Sequence, residues 1–389
     1  MTHLTIRAVL GLIAAELGAD LAVTDEAKAE IRSSLDEIYQ YAKRNDMAHL
    51  VGYVLTKNGL ISEEDESFSS FEVEQYTAML RRERQDFELS RICDALEEAE
   101  IDFIPLKGAV IRDLYPEPWM RTSCDIDVLV KKEDLPRAGE CMVSSLGYRK
   151  GKDSMHDESF YGEGAIHVEL HFDLIEEDHA EKSSEVLSDV WSCAEVAEGK
   201  KHHMLMSDEM FYFYHVAHIA KHFEKAGIGA RPFLDLYLLT RSGSNSAKRD
   251  ALLRRGELEV FERVAREISL CWFEGRELDE LGQRAETFIM RCGAFGSAVN
   301  TILHAKKRLG GKRRYLLGRV FMPYDSIKHA YPILQKHKWL LPFYQVVRWF
   351  KLLSPKRAKK AAREIRRTNR LSDGDYLALK ALMSDVGLE

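Results

Sequence analysis

The chain has 389 residues, 45% of them hydrophobic and 31% charged, with a formal net charge of −7. At roughly 150 residues per domain, such a chain can build two or three hydrophobic cores. Seventeen Phe, 15 Tyr and five Trp exclude disorder over most of it, no run of about 18 apolar residues is present to cross a membrane, and 24 Gly and six Cys fit neither a collagen nor a disulfide scaffold.

Ala8 to Leu17 is apolar but short and lacks a small-residue cleavage site, so it reads as a helix rather than a signal peptide. Ala27 to Lys43 and Phe71 to Ala99 carry apolar residues at three- and four-residue steps (in the second, Phe71, Met79, Leu80, Phe87, Ile92 and Leu96), which predicts helices; Ser62 to Ser70 reads as a loop. The texture changes at Ile101. Ile101 to Leu106 is a short apolar run ended by Gly108, the pattern of a strand, and Ala109 to Leu114 starts a helix that Pro116 and Pro118 stop. Cys124 to Val130 is strand-like, and Glu133 to Leu146 is helix-like and closed by Gly147. Ala165 to Leu174 is the clearest strand: Ile166, Val168, Leu170 and Phe172 alternate with His167, Glu169, His171 and Asp173. The helical period returns in Met210 to Phe223, Phe233 to Leu239 and Leu258 to Phe273, followed by two basic stretches, Lys306 to Arg319 and Lys356 to Arg370.

The expected organisation is a helical region over 1–100, an α/β core over 101–200, a helical domain over 201–350 and a basic tail with a terminal helix over 351–389. The six cysteines form no CxxC pair, which argues against a thiolate zinc site and fits free thiols in a reducing cytoplasm. Between Asn300 and Arg370 there are 20 Lys and Arg against two acids, so the acidic balance of the whole hides a basic end. Segment 356–370 is a solvated helix or a contact for an anionic partner, nucleic acid or membrane.

On a strand, Asp125 and Asp127 project from one face, while Cys124, Ile126 and Val128 take the other. Two carboxylates about 6–7 Å apart along a strand repel unless a cation lies between them, and a hard ion such as Mg²⁺ takes oxygen ligands and leaves room for phosphates. Upstream, Lys107 and Gly108 sit at a strand-to-helix turn where backbone amides can approach a phosphate, and Arg121 and Ser123 offer further donors. Glu169, on the polar face of a later strand, adds a third carboxylate. Three acids from two neighbouring strands meet the demand of two-metal phosphoryl or nucleotidyl transfer.

The ordered set Leu106-Lys107-Gly108, Leu114-Tyr115-Pro116, Arg121, Asp125-Ile126-Asp127, Leu129-Val130, Gly147-Tyr148 and His167-Val168-Glu169-Leu170-His171 resembles the bacterial "uncharacterised nucleotidyltransferase" family of the DNA polymerase β-like superfamily. His218 and His222, then Arg231 and Asp235, also look like that family, as do Phe321-Met322-Pro323 and Tyr331-Pro332, so that the resemblance covers roughly residues 30 to 350. It implies an α+β fold: a small mixed β-sheet of nucleotidyltransferase type between helical N- and C-terminal parts. It further implies that Asp125 and Asp127 form the metal pair, that Glu169 is the third acid, and that Gly108 makes the phosphate-approaching turn. Here Gly108 is followed by Ala109, where the superfamily has Gly or Ser, and the third acid is Glu rather than the more frequent Asp.

The expectation is a transferase using Mg²⁺ or Mn²⁺ that moves a nucleoside monophosphate from an NTP to an acceptor hydroxyl on a small molecule, peptide or RNA. Lys107, Gly108, Arg121 and Ser123 would hold phosphates. Two other classes stand beside it: a catalytically silent binding module for RNA, peptide or protein, and a metal hydrolase ligated by His167 and His171. Those two histidines more often support ligands than act as ligands, and His218 and His222 are candidate cleft contacts on a helix whose Phe211, Tyr212, Phe213 and Tyr214 read as core.

Overall fold

The computed structural model describes residues 2–153, 156–174, 181–242, 246–294, 296–297, 299–303, 321–322, 324, 327–328, 331, 333–352 and 373–388. Both basic stretches, Lys306 to Arg319 and Lys356 to Arg370, lie outside them, as do Pro323 and Pro332. The fold is mixed α+β.

Among the described residues five strands form one sheet: β1 (Phe103–Pro105), β2 (Ile126–Val130), β3 (Arg149–Asp153), β4 (Asp157–Tyr161) and β5 (His167–His171), in the order β1-β2-β5-β4-β3. β2 and β5 are parallel and every other neighbouring pair is antiparallel, so the sheet is mixed. A two-stranded ribbon, β6 (Ala194–Val196) and β7 (Met204–Met206), adjoins β1 through a parallel bridge from Phe103 to His203.

The helices that matter to the site follow from local chemistry. α1 (His3–Glu16) begins with a capping box on Thr2 and Thr5, and α2 (Asp25–Arg32) is capped by Thr24. The helix expected from Ala27 to Lys43 is broken in two: α2 stops at Ser33 and α3 (Leu35–Arg44) starts after Ser34. The Ser33 hydroxyl donates to the Glu30 carbonyl at 2.9 Å, the local competition by which serine interrupts a helix. α4 (Ala48–Lys57) packs tightly on α5 (Phe68–Glu98), because Gly52 lets Phe71 approach to where a Cβ would stand 2.7 Å from it. In α5 the predicted apolar stripe divides: Phe71, Ile92 and Leu96 are buried, whereas Met79, Leu80 and Phe87 are exposed. The stripe that is buried instead runs the length of the helix at seven-residue steps, Phe71, Ala78, Gln85 and Ile92, and Met79, Leu80 and Phe87 fall beside it.

The sheet is covered on both faces. Ile126, Val128, Val130, Val168, Leu170 and Phe160 pack against Ile92 and Leu96 of α5 and against Ala138 of α7 (Leu135–Glu140). On the opposite face Ile104, Leu106 and Leu129 join a larger core with α1, α3, α4 and the helices α9 (Asp208–Lys225), α10 (Arg231–Arg241), α12 (Glu259–Glu274) and α13 (Glu280–Met290). The helices flanking the sheet in sequence thus share one core, tied also by Arg7 on Glu286 at 2.6 Å. The polar residues of β2 and β5 fall on this second face, between sheet and α9. Among the described residues no helix is long and apolar enough to cross a membrane.

Candidate active site

The turn after β1 sets the site. Leu106 still donates from its N–H to the Asp127 carbonyl at 3.0 Å, and then Lys107 takes φ +44°, a conformation that side-chain-bearing residues rarely adopt. The turn opens α6 (Gly108–Ile111). A Cβ at Gly108 would stand 3.0 Å from Ser123 Cβ, so glycine here is what allows the turn to lie against the approach to β2. Ser123 is itself held: its Oγ is 3.0 Å from the Asp125 carbonyl and 3.2 Å from Gln85 Oε1, and Gln85 Nε2 donates to the Ser123 carbonyl at 3.1 Å.

Parallel pairing of β2 with β5 sets Asp127 beside Glu169 and Ile126 beside Val168. Asp127, Glu169 and His171 thereby bring one ligand atom each to within 4.8 Å of one another, and so do Asp125, His167 and Glu169. Glu169 belongs to both groups. A third such group, His156, Asp157 and His171, lies toward β4. Carboxylates dominate the first two sets, with imidazole beside them, a donor chemistry able to hold a divalent cation. His167 Nε2 is buried with no hydrogen-bond partner among the described residues, while His171 turns its Nε2 to Asp127 and Glu169. The residues present therefore fit a divalent cation.

The electrostatics are strongly coupled. Asp127 is 3% exposed, and its Oδ1 accepts from Lys107 Nζ at 3.0 Å and faces His171 Nε2 at 2.8 Å. Burial alone would raise the Asp127 carboxyl, but the Lys107 ammonium and His171 outweigh it and hold it well below the usual carboxylate range. Burial likewise works against the Lys107 charge, and Asp127 outweighs it, keeping Lys107 protonated. The hydrogen bond from His171 lowers Glu169. Asp125 behaves oppositely: burial, then the neighbouring Asp127 charge, push it up to about 6.

The remaining predicted residues separate into two groups. His218 and His222 meet with their Nε2 atoms 3.1 Å apart, and burial, then the charge of His222, holds His218 well below its usual value; the charge of nearby Lys107 pushes the same way. Arg121 turns away from the acids. Its Nε donates to both oxygens of Asp235 at 2.8 and 3.0 Å, and the Tyr115 hydroxyl donates to the same carboxylate at 2.8 Å. Arg231 binds Asp46. The first pair joins the segment before β2 to α10, the second joins α10 to the turn between α3 and α4, and neither belongs to the carboxylate cluster.

Sequence reasoning left Tyr214 among core aromatics. It is 1% exposed, yet its hydroxyl has no hydrogen-bond partner among the described residues and it feels the charges of Lys107, Asp127, Asp125 and Glu169. A polar tip on a buried helix face directly opposite a predicted acidic strand was the available signal. His156 precedes β4 and Asp157 opens it, a strand with no alternating pattern to mark them.

Residues 32–272 match a family described as "Uncharacterised nucleotidyltransferase". The chain belongs to that family. The match spans the turn at Gly108, all three acids, and the helices carrying His218, His222, Arg231 and Asp235; it ends before Phe321 and Tyr331. No curated protein and no solved structure matches the chain. Membership in a nucleotidyltransferase family makes the carboxylate cluster between β2, β5 and α9 the candidate active site.

Proposed function

We propose that this family member is a divalent-metal-dependent nucleotidyltransferase that moves a nucleoside monophosphate from an NTP to an acceptor hydroxyl, with pyrophosphate leaving. The observation that carries the reading is the convergence of Asp127 on β2, Asp125 just before it, and Glu169 on the parallel neighbour β5, with Glu169 common to both ligand sets. Bound there, Mg²⁺ or Mn²⁺ would neutralise phosphate charge and acidify the attacking hydroxyl.

The chain's own groups do the rest. Asp125, Asp127 and Glu169 orient the reacting oxygens. The acceptor hydroxyl forms a new O–P bond at the α-phosphorus, the bond from that phosphorus to the β-phosphate bridging oxygen breaks, and Glu169 takes the hydroxyl proton. Lys107 and His171 keep Asp127 ionised, so it serves as a ligand and not as the base. The α9 face, with Tyr214 and His218, closes the site opposite the sheet and limits water.

The test is pyrophosphate release from each NTP with Mg²⁺, scored against Asp127→Asn and Glu169→Gln. Both substitutions remove a charge while keeping shape, and a loss of at least a hundredfold is expected. Equal turnover in wild type and variants rejects the reading.

A second reading is a binding module that retains the fold without catalysis. Its support is the Lys107 ammonium on Asp127, which already supplies a positive charge where a metal would. Calorimetry separates the two: nucleotide binding that needs Mg²⁺ belongs to the transferase, and nucleotide-independent binding of RNA or peptide to the module. Stoichiometric zinc in the purified protein would favour a histidine-ligated hydrolase using the His156, Asp157, His171 group.

A further inference from the structure

Of the four residues assigned from sequence to grip phosphate, the two cations are engaged elsewhere: Lys107 by Asp127, Arg121 by Asp235. Two other cations stand at the mouth of the site. α5 presents Arg81, Arg84 and Gln85 on one face, since residues three and four apart line up on a helix. Together with Cys124, Gly164 and His167 they line a cleft of about 400 Å³.

The setting of these arginines differs from that of their neighbours. Arg82 pairs with Asp86 at 2.5 Å, and Arg112 reaches the same carboxylate at 3.0 Å. Arg81 and Arg84 make no hydrogen bond or ion pair among the described residues. Asp46, the acid whose charge Arg81 feels, already holds Arg231. Two unengaged guanidinium groups on one wall of a cleft repel each other and present planar donor forks, the arrangement that phosphate oxygens satisfy. Gly164, at φ +65° in the turn before β5, brings backbone to the opposite wall with no side chain in front of Arg84.

The cleft is continuous with the acids. His167 lines it and also contributes to the Asp125, His167, Glu169 group, while Cys124 lines it and precedes Asp125. A ligand seated on the arginines at one end therefore reaches the carboxylates at the other. We propose that the Arg81–Arg84 cleft is the polyphosphate subsite, holding the β- and γ-phosphates of the nucleotide while the α-phosphate lies at Asp125 and Glu169. This assignment rests on the nucleotidyltransferase reading.

The test does not require turnover. Inorganic tripolyphosphate is titrated into the full chain by calorimetry in magnesium-free buffer. Wild type binds it, and Arg81→Gln with Arg84→Gln weakens binding at least tenfold. The single Arg84→Gln, at an exposed helix position where Gln and Arg have similar helix propensity, keeps the fold and loses several-fold. Arg291→Gln, which removes an exposed arginine elsewhere, leaves binding unchanged. Tripolyphosphate that binds wild type and the arginine variants alike, or that does not bind wild type, overturns the subsite whatever the turnover. Tripolyphosphate binding that depends on the arginines, in a protein that releases no pyrophosphate from any NTP, upholds the subsite and removes the transfer reaction instead.

Discussion

Lys107 Nζ and His171 Nε2 share one carboxylate oxygen, Oδ1 of Asp127, at 3.0 and 2.8 Å. The lysine makes this contact from a backbone at φ +44°, so a rarely adopted conformation and a mostly buried ion pair fall on one residue. Replacing Lys107 by Met leaves a 3% exposed carboxylate with the imidazole as its remaining partner. Removing one member of a buried pair costs about 3–5 kcal/mol, so a large fall in melting temperature is expected. Saturating Mg²⁺ should then raise the melting temperature of Lys107→Met by more than it raises that of wild type, because the ion replaces the missing charge. Equal shifts in the two proteins would show that Asp127 is not a metal ligand.

Arg121 and Asp235 form the second buried pair, with side chains 9% and 1% exposed. Here the expectation is purely structural. Arg121→Ala and Asp235→Ala should each destabilise by about 3–5 kcal/mol, and Arg121→Leu combined with Asp235→Leu should recover most of the loss. Chemical denaturation of wild type, the two alanine variants and the Arg121→Ala/Asp235→Ala double closes the cycle that gives the coupling energy. A leucine double variant that is stable yet binds tripolyphosphate as wild type does would fix Arg121 as a tie between the sheet region and α10. Selective loss of polyphosphate binding would return it to the phosphate site.

What could be read in advance divides along physical lines. β5 was legible because its two faces meet different environments: Val168 and Leu170 enter the core with α5, and Glu169 and His171 gather with Asp127 on the polar face near Tyr214. β2 announced itself similarly, with Ile126 and Val128 opposite Asp127. β3 reads Arg-Lys-Gly-Lys-Asp and pairs with β4 at the sheet edge through a shifted register, so no apolar alternation marks it. The alternation of strand and helix therefore showed in the central strands, the α+β class with its mixed sheet came from the family resemblance, and the β3–β4 hairpin did not show. Among site residues, the sequence supplied the carboxylates, since two acids on a packed strand need a partner. It could not supply the partners. Arg121 and Asp235 lie 114 positions apart, and only tertiary packing decides that they meet. Arg81 and Arg84 resembled the many charges of an exposed helix until the cleft in front of them was visible.

Tyr214 offers a prediction in which stability and activity part company. Its hydroxyl is buried without a partner among the described residues, and burial pushes it well above its usual value, so it stays protonated. An unsatisfied buried hydroxyl costs stability, and deleting it restores some. Tyr214→Phe should melt no lower than wild type and about 1 kcal/mol more stable at most. If the hydroxyl donates to substrate across from Asp125 and Asp127, pyrophosphate release should fall about tenfold, as expected for one lost hydrogen bond worth roughly 1.4 kcal/mol. A less stable Tyr214→Phe would mean that the hydroxyl has a bonded role in the resting fold.

His49 carries the pH dependence that can be separated from the site. Its Nε2–H donates to the Met120 carbonyl at 2.9 Å within the packing of α4 on the segment before β2. Burial brings it down to about 4 from an ordinary 6.5, against the opposing pull of Asp46 and with the help of Arg231 and Arg81. Between those values the unfolded chain takes up a proton that the native protein refuses. The contribution of His49 is therefore fully present above pH 6.5 and is lost progressively as pH falls toward about 4. Over that window the loss amounts to about 3 kcal/mol, at 1.36 kcal/mol for each pH unit. His49→Gln keeps a donor for Met120 and has nothing to titrate. Denaturant unfolding at pH 7.5, 6, 5 and 4.5 should show wild type losing stability faster than His49→Gln as the pH is lowered. Parallel profiles would mean that His49 is protonated within the fold, with Asp46 as its counter-charge.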